Sequence, residues 1–381
     1  MRMEYRISTA MLDWIAAQQA TNREGLAEKI APKKIPQFME GIVNQKQANQ
    51  LVSLAKIPFG FLFLNEPPAA NFGKPDLPDF RTVQDSDPLS DDFYAILNDV
   101  LEKQDWYRDY LQQMQALPES LPFVGKFNLN DDPVVIARDI AATIGFDIAK
   151  RNKYTKDSYF RYISDLLENI GILVIKSGIV GSNTRRVLNV REFRGFALAD
   201  KQVPVIFING ADAMAAQLFT LIHETAHIWL GETGISSPDP NSHDRTEQLC
   251  NLIASEFLVP SLEFLEKWEY QADFKENLDV LANHFRVSNY VVAIKALQNR
   301  LISQDQWQEI RSELQRKRNK GSGGNPYQTI PVRNSKRFTK AVVRMAMSKE
   351  ILLRDGAKLL NITPNTLVGL YKRNNEGNID G

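Results

Sequence analysis

Apolar residues recur at helical spacing over most of the chain and gather into strand-like runs between residues 172 and 208. Ser8 stands where a cap is needed ahead of Met11, Leu12, Ile15 and Ala16, which share one helical face. Leu26, Ala27 and Ile30 predict a second helix, and Leu51, Leu54 and Ala55 a later one, so residues 1–64 read as a small helical bundle. Residues 65–117 read as a linker followed by helices. Glu66-Pro67-Pro68, Lys74-Pro75-Asp76-Leu77-Pro78-Asp79 and Asp85-Ser86-Asp87-Pro88 disfavour continuous helix, and Phe80-Arg81-Thr82 reads as an anchor to a surface. Helical periodicity resumes with Phe93, Ile96, Leu97, Val100 and Leu101. Pro133 sits in the first turn of a helix reaching Ile144, and another helix runs from Tyr159 to Glu168 before Gly171.

Three short β-rich runs then follow, over 172–175, 195–199 and 203–208, the last ending at the turn pair Asn209-Gly210. They predict a small antiparallel-type sheet. Asp212 can cap a helix from Ala213 to Leu230 directly after it. The fold class is therefore α+β, mostly helical, with helical modules on both sides of a core domain over 118–270. Residues 271–320 hold a helix-turn-helix-like segment, with Ser288 as cap, and a basic linker. Residues 321–381 form a small C-terminal helical module.

Composition narrows the setting. The 381 residues carry 46 basic and 46 acidic side chains, so net charge gives no reason for nucleic-acid or membrane attraction. Charge is uneven, with Asp concentrated over 76–109 and Lys and Arg over 311–349, where Glu313 is the lone acid. The single cysteine, Cys250, excludes an intramolecular disulfide, and with no signal-like or membrane-spanning apolar run the reading is a cytoplasmic protein.

Chemistry concentrates in His223-Glu224-Thr225-Ala226-His227. Imidazoles four positions apart on a helix project from one face, one turn apart, and can meet one Zn²⁺. Glu224, beside the first histidine, is placed to act as a general base on water. Leu230 and Thr233 stand where the longer His-rich pattern requires Gly and His, so the third ligand must come from elsewhere. Glu247 is the candidate on the next helix, with Glu256 in reserve, nine residues on and half a turn round. Asn251, one turn after Glu247, can accept the outer N–H of a ligand histidine. His243 reads either as a transition-state donor or as a solvated loop residue. Cys250 reads as a small buried hydrophobe rather than a thiolate ligand.

At this point the sequence resembles the ImmA/IrrE family of metallopeptidases. The resemblance is carried by Phe123-Val124-Gly125, by Glu192-Phe193-Arg194-Gly195-Phe196-Ala197-Leu198, and by Pro204-Val205-Ile206-Phe207-Ile208-Asn209. It continues through residues 219–231, Glu247-Gln248-Leu249-Cys250-Asn251, Leu258-Val259-Pro260 and Phe285-Arg286-Val287-Ser288. It implies a gluzincin-like core with Zn²⁺ on His223, His227 and Glu247 and with Glu224 as base. It also implies a protein substrate such as a repressor-like regulator or an antitoxin. The N-terminus resembles a degenerate repressor-type helix-turn-helix, because Pro32 and Pro36 interrupt the region of a reading helix. DNA contact through the N- or C-terminal helical modules is the competing reading, with Arg333, Lys336, Arg337, Lys340 and Arg344 as the basic surface. On that reading the chain is a transcriptional regulator whose zinc domain senses a partner, and a third reading makes it a toxin–antitoxin component. An intact Glu224 favours the peptidase, since a binding module needs no base.

Overall fold

The structure is a computed structural model and describes residues 4–19, 21–55, 57, 59–67, 89–236, 244–316 and 326–376. The chain divides into two compact units, Met1–Pro75 and Asp76–Gly381.

The first unit contains β1 (Glu4–Arg6), α1 (Thr9–Gln18), α2 (Arg23–Ile30), α3 (Ile35–Met39), β2 (Ile42–Asn44) and α4 (Gln45–Ala55). Ser8 accepts from the Met11 amide at 3.2 Å, as its position predicts, and Met11, Leu12, Ile15 and Ala16 are buried. The all-helical expectation is corrected by β1 and β2, which pair antiparallel with Tyr5 opposite Val43. Strands of three residues are too short to show an alternating pattern. Only five residues, Ile35–Met39, are helical in the Pro-interrupted region. The expected anchor Phe80-Arg81-Thr82 lies outside the described residues.

The second unit opens with α5 (Asp91–Gln113), α6 (Pro133–Thr143), α7 (Lys156–Asn169) and β3 (Leu173–Ser177). It continues with β4 (Gly195–Leu198), β5 (Val205–Asn209), α8 (Met214–Leu230), β6 (Gly234–Ser236) and α9 (Arg245–Leu258). Then come α10 (Ser261–Lys267), α11 (Phe274–Phe285), α12 (Asn289–Gln298), α13 (Gln304–Arg316), α14 (Pro326–Asn334), α15 (Lys336–Met347), α16 (Leu353–Leu359) and α17 (Pro364–Glu376). Pro133 opens α6 behind its cap Asp132, and Ser288 caps α12 through the Val291 amide.

The sheet runs in the order β3-β5-β4-β6. It is mixed rather than antiparallel, because β3 and β5 run parallel while β4 is antiparallel to both β5 and β6. The chain reverses once to enter β4 and again to enter β5, so β5 regains the direction of β3. Both faces are covered, which is why the strands read as unbroken apolar runs. One face, with Val174, Ala197, Ile206 and Ile208, packs in a core with α6, α7, α8, α9, α11 and α12. The other, with Ile175, Phe196, Phe207 and Ile235, packs against Phe93, Ile96 and Val100 of α5 and against Phe338, Val342, Leu360 and Leu367. The C-terminal helices thus share a core with the sheet. Apolar side chains on α15, at positions such as Phe338 and Val342, need a partner surface that the sheet supplies. Among the described residues no helix is long and apolar enough to cross a membrane.

Candidate metal centre

Helix α8 carries the two histidines and Glu224 and lies against β4, β5 and α9. Asp212 does not cap it as expected: the cap position is Ala213, with no side-chain bond to the first turn, Asp212 accepts only from the adjoining Ala213 amide at 2.8 Å, and the helix begins at Met214. Its exit is set by Gly231, at φ 73°, where a Cβ would come 2.9 Å from the Gly125 Cα. Trp229 is buried, stacks on Phe123 and donates its indole N–H to Asp139 at 2.9 Å, so it anchors the helix rather than serving the site.

Three donor atoms converge between α8 and α9. The Nε2 atoms of His223 and His227 are 3.1 Å apart, and Glu247 Oε1 lies 3.0 Å from His227 Nε2 and 3.4 Å from His223 Nε2. Tetrahedral Zn²⁺ with bonds of about 2.0–2.1 Å separates its ligand atoms by roughly 3.3 Å. The triangle has that size. Asp244 caps α9 through the Glu247 amide at 2.9 Å, which puts Glu247 in the first turn facing α8. Asn251 Oδ1 lies 3.1 Å from His223 Nδ1, so that ring nitrogen donates and Nε2 is left as the donor atom toward a metal.

All four principal side chains are at most 1% exposed. Burial pushes the Glu224 carboxyl up to about 8. Burial acts to raise Glu247 as well, but the imidazoles of His223 and His227 outweigh it and hold that carboxyl at about 2. Burial lowers His227, whereas at His223 the Glu247 charge overrides burial and raises the imidazole. No Lys or Arg among the described residues pairs with either carboxylate. Glu224 Oε2 and Glu247 Oε2 are buried without a hydrogen-bond partner. The Glu247 carboxylate and two imidazoles, converging with no side-chain cation among the described residues, fit a divalent metal ion.

Cys250 belongs to the same cluster, since its Sγ and a ring nitrogen of each histidine lie within 4.8 Å of one another. Geometry favours Glu247 over it as third donor, since the carboxylate oxygen sits within 3.4 Å of both Nε2 atoms. The sequence reading of Cys250 as a buried small side chain holds for its burial, yet missed its place at the cluster. Glu256, the reserve ligand, is elsewhere. It pairs with Lys295 and accepts from the Ser261 amide at 3.0 Å, because nine residues turn it to the opposite side of α9 from Glu247. His243 lies outside the described residues.

Two residues at the site were not foreseen. Ser236 donates its hydroxyl to Glu224 Oε1. Gly195 leaves the space Glu224 occupies, since a Cβ there would lie 2.6 Å from Glu224 Oε1. Neither carries a local sequence signal, because Gly195 meets Glu224 through the packing of β4 on α8 and Ser236 through the pairing of β6 with β4.

Among comparisons with known proteins, residues 167–297 match the peptidase M78 model, described as the IrrE N-terminal-like domain. Residues 334–373 match a domain of unknown function (DUF8813), which covers α15 and α16 and most of α17. No curated protein and no solved structure matches the chain. Residues 167–297 are therefore similar to a metallopeptidase domain of the IrrE type, and that segment contains the whole His–Glu cluster.

Proposed function

We propose that the chain is a zinc-dependent endopeptidase with a gluzincin-like centre, hydrolysing a peptide bond in a specific partner protein. The observation that carries this reading is the triangle of His223 Nε2, His227 Nε2 and Glu247 Oε1, with Glu224 on the same helix. His223, His227 and Glu247 would hold the ion. When bound there, Zn²⁺ would acidify a water and polarise a substrate carbonyl. Glu224 takes the proton of the attacking water and gives it to the leaving amine. Asn251 fixes the tautomer and orientation of His223.

The buried site supports narrow specificity, since a digestive enzyme needs an open cleft. The resemblance to ImmA/IrrE supports a repressor-like regulator or an antitoxin as the target.

Metal analysis of purified protein, with cleavage of a repressor-like protein encoded beside it, tests the reading. Zinc should be present at about one equivalent, and Glu224→Gln should keep it while losing roughly 10²–10⁴-fold in cleavage rate. Zinc-free protein, or cleavage indifferent to Glu224→Gln, overturns it.

A further inference from the structure

The sheet ends on β6, a strand of three residues, yet the strand that lies beside the base is β4. Gly195 of β4 is the residue whose Cβ would strike Glu224 Oε1 and, at 2.9 Å, Thr220 Cγ2. A peptide held extended for hydrolysis needs its backbone next to that base. The natural holder is an edge strand whose N–H and C=O groups are open to pairing. Here the free edge of β4 is already taken. Gly234, Ile235 and Ser236 pair antiparallel with Ala197, Phe196 and Gly195, as an added peptide would. Arg194 N–H donates to the Ser236 carbonyl at 3.3 Å, and Thr233 Oγ1 accepts from the Ala199 amide at 2.8 Å, extending the pairing at both ends.

Two side chains of β6 complete the occupation. Ser236 donates to Glu224 Oε1, the carboxylate that has to receive a proton from water. Ile235 is 1% exposed and packs on the opposite face with Phe196 and Phe207. His223, Glu224, His227 and Glu247 are all buried in this arrangement. Among the described residues β6 pairs with β4 alone, so its place in the sheet rests on one ladder.

We infer that β6 is a resident strand on the substrate edge of β4, so that the centre is latent until an extended segment of the target protein displaces Gly234–Ser236. Ser236 is the polar latch and Ile235 the apolar anchor. The inference rests on the proposed peptidase reading of the centre. Its rival is a β6 that stays in place and offers its own outer edge to the peptide.

The test uses the full chain loaded with Co²⁺, with acetohydroxamate as a small probe that ligates the ion and shifts its visible absorption bands. Ser236→Ala removes the latch and should speed probe ligation about tenfold. Ile235→Ala weakens the anchor and should speed it by at least about tenfold. A third protein carries Ala197→Cys and Gly234→Cys at register partners. Oxidation should slow ligation by more than about tenfold, and reduction should restore it. A cobalt spectrum that forms, with ligation unchanged or slower in both alanine variants, overturns the resident strand and leaves the metal centre standing. Equal ligation in the oxidised and reduced cysteine protein overturns it as well. If no cobalt spectrum forms, the metal centre fails and the latent strand fails with it.

Discussion

Two histidine–glutamate clusters lie in the second unit, and they differ in where the positive charge comes from. At the first, His223, His227 and Glu247 converge, and among the described residues no Lys or Arg pairs with them. At the second, Glu263 accepts from Arg151 at 2.8 Å and lies 2.6 Å from His284 Nε2. The Arg151 guanidinium sits 4.8 Å from the Phe285 ring. Burial acts to raise Glu263, but Arg151 and His284 outweigh it and lower that carboxyl. The second cluster carries its own cation and is complete as an ion network. The pair of glutamates on α9 repeats the contrast, since Glu256 has Lys295 while Glu247 has only imidazoles. A buried carboxylate needs a cation, and among the described residues no Lys or Arg supplies one at the first cluster, which is what makes it the candidate metal centre.

The strongest way to break that comparison is to remove a donor. His227→Ala or Glu247→Ala should abolish stoichiometric zinc and the rise in melting temperature that added zinc gives the wild type. Arg151→Met should leave both intact. Elemental analysis and thermal unfolding with zinc or chelator check this, and zinc retained by Glu247→Ala would shift the third donor to Cys250.

Next in size is Lys295→Met, which strands a half-buried Glu256 and should cost about 2 kcal/mol in urea unfolding near pH 7. Burial acts to raise Glu256, but Lys295 and Ser261 outweigh it and its folded pKa lies below 4.5. Its contribution is therefore fully present above pH 4.5 and is lost as the pH falls through the lowered folded value. The gap between wild type and Lys295→Met should narrow on acidification below that point. A gap constant from pH 7 to pH 3 would break the charge argument.

Asn251→Ala should weaken zinc binding by roughly 10–100-fold without removing it, as read by competition with a chelator. The smallest effect is expected at the self-contained cluster. Arg151→Met should destabilise by about 1–2 kcal/mol, because Glu263 is partly open to water and recovers some solvation. An effect on zinc affinity there would show that the two clusters are coupled.

Much of the centre was legible because helix geometry is local. His223, Glu224 and His227 follow from four-residue spacing, Glu247 and Asn251 share a face for the same reason, and the nine-residue offset explains why Glu256 points away. Caps at Ser8 and Ser288 were equally local, each side chain meeting an amide three residues ahead. The boundaries of β3, β4 and β5 shifted by one or two residues, but their existence was readable from apolar runs.

What the sequence by itself determined is the chemistry offered by α8 and α9, since a helix fixes the relative directions of residues within two turns. Only the tertiary structure decided that β3 and β5 run parallel and that the C-terminal helices cover the sheet. It alone placed Cys250 at the cluster, Gly195 under Glu224 and Ser236 on its carboxylate. Those contacts join segments 12 to 41 residues apart in sequence or more, as in Ser236 to Glu224 and Gly195 to Ser236. Strand pairing and layer packing are choices among many possible partners, and a three-residue strand carries too little pattern to announce its own.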